Sequence, residues 1–321
     1  MDKLYAMDNS TERAQINNDH FQIMPLNKSQ MPDFEADYAQ WRENKVNAWS
    51  AIENTTPVSI ADPNSLSSAE LTQLKEHCRN TNFVFYRLAQ PEHATKLSIR
   101  QLGAQLGMLE LDKNLCADKD SVSSLQVMDF GSASMKGYIP YTANKLNWHT
   151  DGYYNELHQH IRSFLLHCLR QAESGGNNHL VNHELIYIHL HDKDPELVTA
   201  LMHHDVMTIP ANTADENNIR LAQRGPVFYR DQQTNALQMR YTARTRSITW
   251  KDDPQVAKAL SIIEELLADN RFVTSYTLNP GEGLICNNIL HGRSAFTNGN
   301  IPDKQRLLYR IRSYNRLFSQ C

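Results

Sequence analysis

What most constrains this chain is a succession of short apolar segments, each ended by turn residues, that fills its second half. Ser163–Leu169, Val227–Arg230, Leu237–Tyr241, Arg271–Leu278, Leu284–Leu290 and Arg306–Tyr314 read as strands, and Gln232 to Asn235 as a hairpin turn between two of them. Only two helices interrupt the succession, announced by Asp194-Pro195 and Asp253-Pro254, where Asp caps and Pro takes the first helical position. Several short strands with few helices between them favour a β-sandwich or jelly roll over a doubly wound parallel sheet. No G-x-G-x-x-G and no G-x-x-x-x-G-K-[ST] occurs, so nucleotide-binding readings lose their main support.

The first half is mixed. Residues 1–56 are polar and low in aliphatics, with a helix expected from Phe34 to Ile52 on the spacing of Phe34, Tyr38, Trp41 and Val46. This stretch is read as an extension packed on the main body or on a neighbouring subunit, and 57–321 as the principal domain. Ser67 with Glu70 forms a capping box for a helix carrying Leu71, Leu74 and Cys78. Phe83–Tyr86 reads as a strand. A helix from about Glu92 to Leu106, with Leu97, Leu102 and Leu106 on its apolar side, ends at Gly107.

Composition excludes several classes. A net charge of −4 gives no sign of a nucleic-acid binder. The longest apolar runs, such as Phe164–Leu166, fall far short of the roughly 20 residues that cross a bilayer. The opening MDKLYAMDNSTERAQ lacks the apolar core of a secretion signal. Five cysteines (Cys78, Cys116, Cys168, Cys286, Cys321) show no C-x-x-C spacing, so reduced thiols in a cytoplasmic protein are expected.

Most of the fourteen histidines, including the pairs His158/His160 and His189/His191, read as structural or solvent-exposed. One cluster differs: Asn147-Trp148-His149-Thr150-Asp151-Gly152-Tyr153-Tyr154-Asn155. On extended backbone His149 and Asp151 project from one face, so an imidazole and a carboxylate could share a metal ion. A 2-His-1-carboxylate set holds Fe(II) and leaves positions open. His291, at the end of an apolar strand that follows Pro280-Gly281, is the candidate third ligand; a strand-end histidine capping local backbone is the competing reading. In Arg306–Tyr314, alternation puts Arg306, Leu308, Arg310 and Arg312 on one face. That face is either a solvated cationic surface or a set of arginines pointing inward to grip carboxylates.

In combination these elements resemble the Fe(II)- and 2-oxoglutarate-dependent dioxygenases of the taurine dioxygenase (TauD/TfdA) and γ-butyrobetaine hydroxylase superfamily, whose pattern is H-x-D, a long interval, H, then Arg. Here Arg306 follows His291 by 15 positions (306 − 291). Ile161–Cys168 with Glu173-Ser174-Gly175-Gly176 resembles the family's strand and glycine turn, and Leu290–Phe296 is similar to the γ-butyrobetaine hydroxylase branch. The resemblance covers about residues 57–315 and implies a mainly β fold with flanking helices, a double-stranded β-helix (jelly roll) of clavaminate synthase-like type.

It further implies His149, Asp151 and His291 as iron ligands, O2 as oxidant, and Arg306 on the distal carboxylate of 2-oxoglutarate. Asn178 stands where many relatives have Thr and is the expected second contact to that carboxylate. Arg310 resembles the arginine with which the taurine branch binds an anionic substrate. The γ-butyrobetaine hydroxylases do not share it, and the zinc subdomain of their eukaryotic members is missing here, so neither branch supplies the substrate. Tyr138, Tyr141, Trp148, Tyr153 and Tyr154 could cage an alkylammonium group or simply pack; Tyr138, Tyr153, Tyr154 and Asn155 join Arg310 as expected substrate contacts, with Arg244 or Arg246 as further cations. The expected activity is oxidation, most simply hydroxylation, of a small anionic or zwitterionic metabolite, with release of succinate and CO2. A non-catalytic jelly-roll binding protein and a zinc-dependent hydrolase are the alternatives. No nucleic-acid or membrane partner is expected, and a homodimer stays open.

Overall fold

The computed structural model describes residues 34–52, 56–113, 120–128, 139–212, 220–244 and 248–318. Two sheets stacked face to face organise them. The larger is built from β1 (Val58–Ile60), β2 (Phe83–Leu88), β3 (Ser123–Leu125), β5 (Ser163–Arg170), β8 (Glu282–Cys286) and β10 (Leu307–Ser313), in the spatial order β1-β2-β8-β5-β10-β3. The smaller contains β4 (Leu146–His149), β6 (Asn178–Val181), β7 (Thr274–Tyr276) and β9 (Leu290–Arg293), in the order β7-β6-β9-β4. Apart from the parallel β1–β2 pair, the ladders in both sheets are antiparallel, which gives the expected jelly roll.

Alternation along each strand decides what lies between the sheets. Phe85, Phe164, Leu166, Leu284 and Leu308 from the larger sheet meet Leu180 from the smaller one. The opposite face of the larger sheet buries Ile285 and Ile311 against α2 (Ser68–Thr81) and α3 (Lys96–Gln105), which bring Leu74, Ile99 and Leu102. Behind the smaller sheet, α4 (His183–Lys193), α5 (Pro195–Leu201) and α6 (Pro254–Ala268) form a third apolar layer, with Ile186, Leu197 and Ile263 fully buried.

The helix starts follow their capping residues. Ser67 and Glu70 close the reciprocal capping box, and Asp194 and Asp253 accept from the first-turn amides of α5 and α6. Helix α3 starts later than the Glu92 of the sequence reading, because Thr95 and Ser98 form a second capping box after a short 3-10 turn at Pro91–His93. Leu97 consequently faces solvent at 65% exposure, and Ile99 takes the core position expected for it. The expected N-terminal helix is α1, Phe34–Ser50. It packs on the main body: Lys45 Nζ lies 2.7 Å from Glu184, and the Trp41 ring meets Tyr187 edge-on.

One strand is two. The apolar run Leu284–Leu290 breaks at Asn287-Asn288, where Asn288 adopts φ +51°, and the chain passes from the larger sheet to the smaller. The arginine face formed by β10 and the residue before it points inward, not to water: Arg306 and Arg312 are each 5% exposed. The three described cysteines, Cys78, Cys168 and Cys286, are buried and unpaired. Among the described residues no helix is long and apolar enough to cross a membrane.

Candidate active site

Strands β4 and β9 are antiparallel neighbours, and their register sets His149 directly opposite His291. The ring centroids are 4.3 Å apart. In both residues Nδ1 lies on the carbonyl two positions back, at 2.8 Å from Asn147 O and 2.9 Å from Ile289 O. A carbonyl only accepts, so Nδ1 carries the proton in each ring and Nε2 keeps its lone pair for the space between the strands. Burial, then the neighbouring His291, pushes His149 down to about 3, and burial lowers His291 as well, so both imidazoles are neutral, the form that binds metal.

Asp151 completes the group by a different route from strand alternation. Strand β4 ends at His149, and Asp151 opens the turn that follows. That turn requires glycine at 152: φ is +66°, and a Cβ there would stand 2.6 Å from the Ile161 side chain. Ligand atoms of His149, Asp151 and His291 all lie within 4.8 Å of one another. Burial on its own would raise the Asp151 carboxyl. Arg310, then Arg312 and the two histidines, outweigh it and hold the group well below the usual carboxylate range. Its Oδ1 is 4.0 Å from Arg310 and 3.7 Å from Arg312.

These side chains form one end of a cavity between the sheets, walled by Leu125, Phe164, Leu166, Asn178, Arg293, Arg306 and Arg310. Arg306 is held from behind. Its backbone N–H donates to Asn298 at 2.9 Å, and its guanidinium lies 5.1 Å from the centre of the Phe296 ring. Burial lowers it to about 10, and among the described residues no carboxylate pairs with it. Arg310 Nε is likewise buried without a hydrogen-bond partner. Asn178 donates to Tyr276 O at 3.3 Å and keeps its second N–H.

The structure thus brings His149, Asp151, His291, Arg306, Arg310 and Asn178 to one cavity, whose lining includes none of the expected aromatic contacts among the described residues. Beyond Gly152 the chain turns toward the helical layer. Tyr153 and Tyr154 pack against that layer, the Tyr153 hydroxyl accepting from Arg244 at 3.3 Å and that of Tyr154 from Arg312 at 3.4 Å. Asn155 closes the turn, donating its amide to Gln159 O at 2.9 Å. Tyr141 is buried between the sheets and Trp148 lies against the helical layer. None of these walls the cavity, so the expected cage is not built from them. Tyr138 and Arg246 lie outside the described residues.

The remaining histidines separate as their sequence context suggests. His160 is buried 2.6 Å from the Tyr229 hydroxyl, His158 is exposed, and His191 stacks on Tyr187. A second His/Asp group, His203, His204 and Asp205, sits on an exposed turn where Lys251 also reaches Asp205. Sequence reasoning missed three contributors. Arg293 donates to Thr142 O at 2.8 Å and Asn144 O at 2.6 Å, fixing one wall. Asp112 pairs with Arg312 from a distant loop, which no local signal announces. Asn288 holds the turn that carries Asp151; an Asn-Asn pair inside an apolar run was the signal for it.

Comparison with known proteins bears on the family and the fold. The profile described as taurine catabolism dioxygenase TauD, TfdA family matches residues 44–312. A uridine-5'-phosphate dioxygenase from Amycolatopsis sp is 29% identical over 173 residues, 51% of this chain and 58% of that protein's length. An asparagine oxygenase structure superposes with TM-score 0.55 at 15% identity, over 86% of this chain and 90% of its own. A structure titled as a putative alpha-ketoglutarate-dependent taurine dioxygenase from Burkholderia xenovorans gives TM-score 0.53 at 16% identity, over 81% of this chain and 90% of its own.

Proposed function

We propose a function from one premise: the chain belongs to the taurine catabolism dioxygenase TauD, TfdA family. It is an Fe(II)- and 2-oxoglutarate-dependent dioxygenase that hydroxylates a small anionic or zwitterionic metabolite. The balance is substrate C–H, O2 and 2-oxoglutarate to substrate C–OH, succinate and CO2.

The donor set fits the metal. Two neutral imidazoles and one ionised carboxylate, converging from one side, are the ligands that ferrous oxygenases use, with positions left open. When bound, the iron supplies O2 activation coupled to decarboxylation of the oxo acid. His149, Asp151 and His291 would hold it. Arg306 would neutralise the distal carboxylate of 2-oxoglutarate, with the spare N–H of Asn178 as a second donor. Phe164 and Leu166 give the cavity an apolar wall. Arg310 is left to take an anionic group of the substrate. The relative named for uridine 5'-phosphate, a phosphate ester, supports an anionic substrate for a cavity walled by arginines.

The observation that carries the proposal is that the triad and an unpaired, buried Arg306 share one cavity. A hydrolytic zinc site would need a general base, and Asp151 is the sole carboxylate among the described residues lining the wall. The test is anaerobic addition of Fe(II) and 2-oxoglutarate to the purified protein. The weak visible charge-transfer band of the chelate is expected in the wild type and is expected to vanish in His291→Ala; a wild type without the band contradicts the proposal.

A further inference from the structure

The break that divides the apolar run at Asn287-Asn288 does more than hand the chain from one sheet to the other. Asn288 is 4% exposed, and every polar atom of its side chain is committed to the turn after β4 or to the approach to β5. Its Oδ1 accepts from the Asp151 N–H at 2.7 Å. Its Nδ2 donates to the Asp151 carbonyl at 3.0 Å and to the Ile161 carbonyl at 2.6 Å. One amide therefore grips the backbone N–H and C=O of Asp151 and the strand approach against which Gly152 packs.

Among short side chains only asparagine can do this, because the task needs one acceptor and two donors. The position also requires φ +51°, which Asn tolerates better than most residues. Asn288 stands three residues before His291 on the same chain segment. Through it, the segment bearing one candidate ligand is fastened to the backbone of another. With its backbone fixed at N–H and C=O, Asp151 retains only its own side-chain torsions, and Arg310 and Arg312 restrict those from the cavity side.

We infer that Asn288 is a positioning residue of the metal site, setting the separation of Asp151 from His291 before any ion arrives. The inference rests on the reading of His149, Asp151 and His291 as metal ligands. It adds that the site is preorganised by one buried amide that touches no ligand atom. Partners of this kind, one step removed from the ion, typically govern roughly ten- to hundredfold in metal affinity.

The test compares Asn288→Gly with Asn287→Ala. Glycine at 288 keeps the positive φ and deletes the amide. Asn287 serves as control because its side chain faces the other way, accepting from Leu317 N–H at 3.1 Å and donating to Asn82 at 3.4 Å. Mn(II) binding is followed by loss of the free-ion electron paramagnetic resonance signal, alongside thermal melting. Asn288→Gly is expected to weaken Mn(II) binding roughly ten- to hundredfold, and Asn287→Ala to lower the melting temperature without that loss. Equal weakening in the two variants, or none in Asn288→Gly, overturns the inference while the ligand assignment stands. A wild type that binds no Mn(II) overturns the assignment itself. Hydrogen exchange on the unmodified chain tests the clamp without a variant: the Asp151 amide should exchange as slowly as those of β8, and exchange at the rate of an open loop refutes it.

Discussion

Buried arginines occur in two regions of this molecule, and they are held in opposite ways. Under the turn after β4, Arg162 donates to Asp231 at 2.5 Å and to Tyr314 O at 2.8 Å. Nearby, Arg240 donates to the carbonyls of Tyr153, Met207 and Gln223 at 2.7, 3.2 and 3.2 Å. In the cavity wall, Arg306 has no carboxylate partner among the described residues, and Arg310 has only a distant one, Asp151. Burying a cation without a partner is costly unless something else supplies the anion. The first region is architecture, complete in the folded chain. On the proposed function the second is a receptor whose counter-charge would come from outside. The same residue type at similar depth thus serves two ends, and the partner inventory tells them apart.

Among substitutions at neutral pH, the largest effect on folding should follow removal of a partnered cation. Arg162→Ala leaves Asp231 buried without its ion pair, a loss of about 3–5 kcal/mol that thermal or urea unfolding would register. If the variant is as stable as the wild type, the architectural role of this region is refuted.

Below pH 6.5 acid should act at least as strongly, and on the same side of the comparison. Burial pushes His160 down to about 3, and His167 and His183 down to about 4, from an ordinary 6.5. The folded state therefore binds fewer protons than the unfolded chain below pH 6.5. Stability is flat above that pH and falls as pH drops toward 4, by roughly 1.4 kcal/mol per unit for each histidine. Denaturant midpoints measured across that window should decline steeply, and a flat profile would show these rings already protonated in the fold.

The smallest effect on folding belongs to the cavity. Arg310→Met removes an incompletely partnered cation in exchange for a similar apolar volume, so the ligand-free melting temperature should stay within about 1 kcal/mol equivalent of wild type or rise. A large fall would make Arg310 structural and would remove it from substrate binding.

How much of this could be read in advance depended on whether the signal was local. The late arginine series and the H-x-D sequence carry strand periodicity and spacing, so the shared arginine face and the candidate ligands were legible, while alternation alone left open whether that face turns inward. The placement of Asp151 was anticipated by alternation, but the structure achieves it by a glycine turn and a clamp. The tyrosines after Gly152 do not line the cavity, because nearness in sequence to a ligand says nothing of the direction in which a positive-φ turn sends the chain. Asn288 was missed for a related reason: the Asn-Asn pair marks a break in the apolar run, but not that the backbone changes sheets there or what the side chain holds.

The most direct test of the contrast between complete and waiting cations is titration of 2-oxoglutarate into Mn(II)-loaded protein by calorimetry, in wild type and Arg306→Met. Loss of the charge pair should weaken binding by about 2–5 kcal/mol, roughly 30-fold or more, with the ligand-free melting temperature unchanged. Equal affinity in the two proteins would contradict the assignment of Arg306 and, with it, the view that an unpartnered buried guanidinium marks the cosubstrate site.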